Sequence, residues 1–163
     1  MHIMLKFGDM AFSRSLLIHE EKPAGGPWLR LIITVSVGSL LVFGTYLWSS
    51  GDEAGGLSLM GEAVFVLALF WAVLPRSYQI YEDGIRIVLG ALFSVNIPFD
   101  IIEKIEVSSA TSFTINFATA FTTRYILIKN RKGMSIAITP ASNQLFAENA
   151  GTALARWQKT RAR

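Results

Sequence analysis

Two long, almost uninterrupted apolar runs occupy the first half of the chain. The first covers residues 28–48 with one charge, Arg30, and the second covers residues 57–75 and ends at Pro75. Each run is close to the ~20 residues that an α-helix needs to cross the hydrocarbon core of a bilayer. The glycine-rich acidic stretch 49–56 between them is short enough to be a turn. The pattern therefore predicts a transmembrane helical hairpin.

After the second run the apolar positions alternate with polar ones, which is typical of half-buried β-strands. Tyr78 and Ile80 lead into a Glu-Asp-Gly turn at residues 82–84, and Ile85, Ile87 and Leu89 share one face of the returning strand. Further strands are predicted near residues 94–98, 125–129 and 134–139, while residues 102–107 fit either a strand or a short helical turn. We expect about seven strands in this part of the chain.

The chain ends in a predicted amphipathic helix. Thr139-Pro140 is a suitable start, because proline is favoured at the first helical position. Its apolar face is formed by Leu145, Phe146, Ala153, Leu154 and Trp157. The fold class is therefore an α+β membrane protein: a two-helix transmembrane hairpin followed by a bent β-sheet or barrel closed by a C-terminal helix.

Basic residues flank the hairpin and are missing from its turn. Lys6, Arg14, Lys22 and Arg30 precede or open the first run, Arg76 and Arg86 follow the second, and residues 49–56 have no Lys or Arg. By the positive-inside rule both termini face the cytoplasm. We therefore expect a cytoplasmic N-terminal segment over residues 1–27, two spans with a short external loop over residues 28–75, and a cytoplasmic domain over residues 76–163 of a protein integral to the cell membrane.

Polar and small residues inside the two runs are candidate contact sites. Glu62 lies within the second run, and ionisable residues in a span are functional candidates by default. An antiparallel hairpin offers Thr45 and Tyr46 as its hydroxyl partners, so either a structural role or a proton or partner role is open. Thr34, Gly38, Ser39 and Gly44 allow close helix approach, against the second helix of the hairpin or, as the alternative, a second copy.

Residues 113–121 alternate large apolar with small or polar side chains. Phe113, Ile115 and Phe117 would then share one face, which we expect to lie in the core. Phe121 lies further along, and it either joins that core or projects on a loop towards the bilayer or a protein partner.

Composition excludes several classes of function. Of the 163 residues, 52% are hydrophobic and 17% are charged, and the mean hydropathy of +0.42 is too high for a freely soluble enzyme. The absence of cysteine excludes disulfides, thiolate chemistry and sulfur-ligated metals. Both histidines, His2 and His19, precede the first run, and neither a phosphate-binding glycine loop nor a G-x-S-x-G elbow is present. We expect no enzymatic activity, no cofactor and no metal.

Three motifs resemble the bacterial membrane-anchored pleckstrin-homology (PH) family: residues 78–87, residues 97–102 and residues 138–140. The resemblance implies a strongly bent sheet plugged at one end by the C-terminal helix. It also implies lipid binding through basic residues around the first hairpin loop, but here that loop carries Glu82 and Asp83. We therefore expect no phosphoinositide preference. A second basic cluster, which is a candidate for anionic headgroup contact or simply a solvated hairpin tip, consists of Arg124, Lys129, Arg131 and Lys132.

The sequence thus favours a non-enzymatic integral membrane protein that displays a PH-like domain for protein interaction or self-assembly. The alternatives are an anionic-lipid-sensing module and an accessory subunit of a membrane enzyme or transporter. The expected partners are membrane lipids and either a protein or further copies of the chain. Nucleic acid is not expected, because the eleven basic residues of 76–163 are interspersed with six acidic ones, and no small-molecule substrate is evident.

Overall fold

The computed structural model describes residues 5–7, 15–90, 93–109, 114–117 and 124–161. The chain divides into two compact units. One is a helical hairpin over residues 26–73, and the other combines residues 1–25 with residues 74–163. The β domain is therefore built from chain on both sides of the hairpin.

The hairpin consists of α1, Pro27–Ser49, and α2, Glu53–Val73. α1 is one residue longer than its predicted run at each end, and α2 starts four residues before its predicted run and stops two residues before the end of that run. The early start has a local cause: the Asp52 carboxylate accepts a hydrogen bond from the Gly55 N–H (3.0 Å) and so caps the helix. The early stop follows from Pro75, because the residue before a proline is disfavoured in helical conformation.

Small residues bring α1 and α2 together. The buried positions lie two turns apart on each helix, at Val37 and Gly44 on α1 and at Gly56 and Ala63 on α2. A methyl group added at Gly56 would lie 2.8 Å from the Gly44 carbonyl oxygen, whereas one added at Gly38 would meet no atom within 4 Å. The expected close approach within the hairpin therefore occurs at Gly44 and not at Gly38.

Most large apolar side chains of the hairpin face outward. Val42, Phe43, Val64 and Phe65 are each more than 60% exposed. Both helices are long and apolar enough to cross a membrane by length and composition. An outward apolar surface of this kind is what hydrocarbon, rather than water, solvates without penalty.

The β domain contains two sheets over the described residues. The strands and the last helix are β1 Leu5–Phe7, β2 Leu17–Glu21, β3 Pro75–Tyr81, β4 Gly84–Leu89, β5 Phe93–Pro98, β6 Ile102–Ser108, β7 Thr114–Phe117, β8 Tyr125–Asn130, β9 Ser135–Ile138 and α3 Asn143–Arg161. One sheet has the order β1-β5-β4-β3-β2, and the other has the order β6-β8-β9-β7 with β7 parallel to β9. The expected architecture of about seven strands followed by a helix is confirmed in β3–β9 and α3, and residues 102–108 are a strand.

The N-terminal segment differs from the expectation of a separate stretch over residues 1–27. Its strands β1 and β2 pair with β5 and β3, so the five-stranded sheet includes chain from before the hairpin. The connection continues beyond β2, where Ala24 N–H donates to the Thr139 carbonyl (2.8 Å) and Ala141 N–H donates to the Lys22 carbonyl (2.9 Å). Exposed strand edges provide unpaired backbone groups, and these pairings satisfy them.

A side-chain pair reinforces the pairing of β2 with β3. The Gln79 amide donates to the Glu20 carboxylate (3.0 Å), and this hydrogen bond, with a smaller one from Ser77, lowers the pKa of Glu20 below its ordinary value. On the other side of the sheet the ring of His19 meets that of Phe146 edge-on, with centroids 6.3 Å apart. The strand is thus held on both of its faces.

The core lies between the two sheets and α3. Its largest fully buried side chains are Tyr78, Phe99, Phe146, Ile80, Ile85, Ile87, Ile97, Ile102, Ile126, Ile128, Ile136 and Ile138. The Tyr78 hydroxyl donates to the Phe117 carbonyl (2.8 Å), which ties β3 to β7 across the sheets. Ile115 and Phe117 pack against this core, whereas Phe113 and Phe121 lie outside the described residues.

The final helix plugs the domain as expected, with two differences. It begins at Asn143 and not at Pro140, because Pro140 forms a β-bridge with Pro23 and the first helical acceptor is the Ser142 carbonyl, bound by Phe146 N–H (3.0 Å). Its buried face is Phe146, Ala150, Ala153 and Leu154. Leu145, which the apolar pattern assigned to that face, is 48% exposed, since it is rotated about 100° from Phe146 on the helix.

We expect residues 74–163 alone to be much less stable than the same residues preceded by residues 1–25, joined through a flexible linker that replaces the hairpin. Without β1 and β2, the edges of β5 and β3 lose their partners. A decrease of about 2 kcal/mol in the free energy of unfolding lowers the melting temperature of a domain this size by roughly 10 °C. Circular dichroism melts of the two proteins, with size-exclusion chromatography for aggregation, measure the difference. Equal melting temperatures would show that the N-terminal strands add nothing.

Candidate functional site

An acidic turn joins β3 to β4. Its backbone is held from two sides, because Phe99 N–H donates to the Asp83 carbonyl (2.9 Å) and Glu82 N–H donates to the Leu16 carbonyl (3.3 Å). The Glu82 side chain is exposed. One oxygen of the Asp83 carboxylate, Oδ1, is buried and accepts no hydrogen bond from the described residues. The turn therefore presents two carboxylates on a fixed backbone, one of them partly desolvated.

A cleft of about 560 Å³ lies beside this turn. One wall is formed by Ser15, which precedes β2, and by Ile18 of β2, and the turn forms another with Glu82 and Asp83. The third wall is the C-terminal half of α3 and consists of Ala153, Arg156, Trp157 and Thr160. The three walls come from segments far apart in sequence. We call this space the acidic-turn cleft.

Trp157 is the aromatic wall of the cleft. Its ring meets the buried ring of Phe99 edge-on at a centroid distance of 6.2 Å, so the indole is fixed against the core. The Arg161 guanidinium lies 4.7 Å from the Trp157 ring centroid, a cation–π contact. Arg156 is exposed at the rim. The cleft therefore combines a fixed aromatic surface with carboxylates opposite it.

The predicted basic cluster does not form one patch. Arg131 and Lys132 are exposed in the turn between β8 and β9, where Gly133 adopts the positive φ of +99° that the turn requires. Arg124 stands just before the other end of β8. A strand rises about 3.3 Å per residue, so the backbones of Arg124 and Arg131 are roughly 20 Å apart.

Lys129, the fourth predicted member, is paired with an acid. Its Nζ lies 2.8 Å from a Glu106 carboxylate oxygen, and Lys104 Nζ lies 2.6 Å from the other. The hydrogen bonds from Lys104 and Lys129 lower the pKa of Glu106 to about 2, and Glu106 in turn raises the pKa of Lys129. The charge of Lys129 is thus partly compensated on the sheet itself.

Glu62, Thr45 and Tyr46, which are predicted to form a polar site within the hairpin, do not form one in the described structure. The hairpin register places Gly44 against Gly56, Leu59 and Met60, so Thr45 and Tyr46 lie level with the start of α2. Thr45 donates its hydroxyl to the Leu41 carbonyl (2.7 Å). Within the described residues no hydrogen bond joins Glu62 to either hydroxyl, and all three side chains are exposed. Glu62 is one turn too far along α2 for the expected pairing.

Two further kinds of candidate site are a metal site and the loop that contains Phe121. In the described part of the chain no three His, Asp or Glu side chains lie together as a metal site would require. Phe121, the predicted partner or membrane contact, lies outside the described residues.

Comparison with known families identifies the β domain. Residues 76–149 match the family model of the bacterial PH domain. The β domain is PH-like over these residues. The match begins within β3 and ends within α3, so it covers neither the hairpin nor β1 and β2. No curated protein and no solved structure matches the chain.

The first hairpin of the PH domain is thus β3–β4, and its turn is the acidic one. The resemblance carried by residues 78–87, 97–102 and 138–140 is confirmed by the family match. The turn where that resemblance implies basic residues carries Glu82 and Asp83, as the sequence already indicated. Sequence reasoning identified the acidic turn but missed its neighbours Ile18 and Arg156. The available signal was the apolar run Leu16-Leu17-Ile18 in an otherwise polar segment.

We expect the stabilising effect of Glu106 to depend on pH. Its folded pKa of about 2 lies below the ordinary 4.5, so ionised Glu106 stabilises the domain above about pH 4.5 and that contribution is lost as the pH falls towards 2. Glu106→Gln should melt at a lower temperature than the parent at pH 7, and the gap should close between pH 4.5 and 2. Thermal melts across this range test it, with Glu103→Gln on the same strand as control. A gap that stays constant down to pH 2 would contradict the pairing.

Proposed function

We propose that this chain is a non-enzymatic integral membrane protein that displays its PH domain at the cytoplasmic face for binding a protein partner or further copies of itself. The observation that carries the proposal is the acidic turn of the first PH hairpin beside an open cleft. A site with net negative charge repels phosphate headgroups, whereas it attracts basic protein segments. Protein interaction is therefore favoured over phosphoinositide sensing.

Chain connectivity supports the membrane topology. The chain leaves the sheet after β2, runs through the hairpin, and returns to the same sheet at β3. One folded domain occupies one side of a bilayer, so a hairpin whose two ends are tied to it must return to the side it left. The basic residues before α1 and after α2 favour the cytoplasmic side.

The positions of the basic residues argue against a dedicated lipid site. Arg124 and Arg131 lie at opposite ends of β8, and Lys129 is paired with Glu106. Only Arg131 and Lys132 of the predicted cluster share a turn, and each contributes about 1 kcal/mol to adhesion at an anionic surface. Such adhesion helps hold a domain near the bilayer without distinguishing one headgroup from another.

We expect single cysteines at Ser50 and Ser142 to differ in their reaction with an impermeant thiol reagent applied to intact cells. Ser50→Cys lies in the α1–α2 turn and should be labelled, whereas Ser142→Cys precedes α3 and should be labelled only after lysis. The chain has no native cysteine, so the parent is the blank. The opposite pattern would place the PH domain outside the cell.

Photo-crosslinking in native membranes tests the interaction. A photoreactive amino acid placed in turn at the exposed positions Ile18, Glu103 and Arg131 should give, from at least one of them, a discrete protein adduct. Self-assembly predicts twice the chain mass of 18.0 kDa, and a different partner predicts another defined mass. Lipid adducts alone at all three positions, together with salt-resistant discrimination between headgroups by the reconstituted chain, would overturn the proposal in favour of lipid sensing.

A further inference from the structure

Glu62 lies near the middle of α2. The helix runs from Glu53 to Val73, so at 1.5 Å per residue Glu62 lies roughly 14 Å from its first residue and roughly 16 Å from its last. The hydrocarbon core of a bilayer is about 30 Å thick, which places this carboxylate close to the bilayer centre when α2 spans it. A glutamate side chain is too short to reach either interface from that depth. An ionisable group there is costly unless a partner meets it.

The hairpin supplies no such partner. The Glu62 side chain is exposed and makes no hydrogen bond or ion pair with the described residues. Residues 31–75 contain no Lys, Arg or His. Arg30 and Arg76, the basic residues on either side of this stretch, lie at the ends of the two helices that are far from the turn. A basic partner for Glu62 therefore has to come from another chain.

The side of α2 that is turned away from α1 has the pattern of a helix-packing surface. Its residues are four and three positions apart in turn, which is the spacing of the seam between two packed helices. The members, all exposed except the half-buried last one, are Ala54, Ser58, Gly61, Phe65, Ala68 and Ala72. We call them the outer face of α2. Every member except Phe65 is small, and a methyl group added at Gly61 would meet no atom within 4 Å, so another helix has room to approach closely.

Glu62 borders this outer face, because it follows Gly61 by one residue. Charged side chains that flank a helix seam pair across it and decide which helix is accepted. A second copy of the chain offers no base at this depth, since its own residues 31–75 contain none. Two copies inserted with the same topology would also bring their Glu62 carboxylates to the same depth, where like charges repel. The charge therefore favours a different protein over self-association at this face.

We propose that the outer face of α2 packs against a transmembrane helix of another membrane protein, whose arginine or lysine side chain pairs with Glu62 near the bilayer centre. This inference rests on the proposed function as a membrane protein with a protein partner, and it adds a contact within the bilayer to that of the PH domain. The small residues allow the two backbones to approach, and the ion pair selects the helix. Such a pair is stronger in the low dielectric of the bilayer than in water.

Photo-crosslinking within the bilayer tests the outer face. Photoreactive benzoylphenylalanine replaces Phe65 on the outer face or, as the control, Phe43 on α1, and the two native side chains are similarly exposed at 67% and 63%. In native membranes we expect a discrete protein adduct from position 65 and lipid adducts alone from position 43. Mass spectrometry of the adduct should map the crosslink to a membrane span that contains Arg or Lys.

Matched substitutions on α2 test the ion pair. Glu62→Gln keeps the shape of the side chain but removes its charge, and it should reduce the adduct from position 65 about fivefold or more, because the partner's base is left unpaired in the bilayer. Glu53→Gln makes the same change at the start of α2 and should leave the adduct unchanged. Labelling of Ser50→Cys checks that the Glu62→Gln chain is inserted like the parent. Glu62→Lys, combined with glutamate in place of the partner's base, should restore the adduct.

Three results would each overturn the proposal. The first is an adduct of twice the chain mass of 18.0 kDa from position 65, which would mean that a second copy covers the face. The second is lipid adducts alone at that position. The third is a protein adduct whose yield is the same in Glu62→Gln and in the parent.

Crosslinking from the PH domain distinguishes this inference from the proposed function. Protein adducts from Ile18, Glu103 or Arg131 together with lipid alone from position 65 would refute the contact in the bilayer but not the proposed function. A Glu62-dependent adduct from position 65, together with the lipid-sensing outcome at the PH domain, would refute the proposed function and leave the contact in the bilayer.

Discussion

The pairing of β2 with β3 is the constraint on which the rest of the structure depends. These strands flank the helical hairpin in the sequence, and their antiparallel ladder brings the chain back to the point from which it left. The segment after β2 then pairs with residues 139–141, which sets where α3 begins. Sheet, hairpin ends and closing helix are therefore linked through one strand of five residues.

The same strand creates the candidate site. Without β2 the acidic turn would face solvent, because one wall of the cleft is formed by Ser15 and Ile18. The family match covers the turn and part of α3 but not this strand. The match thus includes the turn, while the helix residues 153–160 and the segment with Ser15 and Ile18, which complete the cleft, lie outside it. The charged groups that line this cleft are the two carboxylates of the turn and the guanidinium of Arg156.

The contact between α1 and α2 has the composition that is typical of helices packed in lipid. Burial of large apolar groups offers no driving force between such helices, so small residues that permit close packing decide the contact. Gly44 and Gly56 do so here, and the large side chains are left outward. Glu62 lies outside this contact, which makes it a surface residue of the hairpin and not part of its interior.

Local pattern determined most of the elements of this protein. The two apolar runs specify α1 and α2, the alternation after Pro75 specifies β3–β5, and the spacing of Phe146, Leu154 and Trp157 specifies α3, because periodic burial acts on neighbouring residues. The position of Glu82 and Asp83 in a turn, and hence the sign of its charge, was also readable from sequence.

Only the tertiary structure decided the contacts between distant segments. β2 is short and without clear alternation, and its partner β3 lies more than fifty residues away, so no local pattern identifies the pairing of the two strands. Sheet register likewise decides the pairing of Lys129 with Glu106, since these residues lie on the neighbouring strands β8 and β6. The separation of Arg124 from Arg131 at opposite ends of β8 also depends on the sheet. Ile18, Asp83 and Trp157 meet because three separate segments pack on one core, and packing between distant segments is not encoded in any one of them.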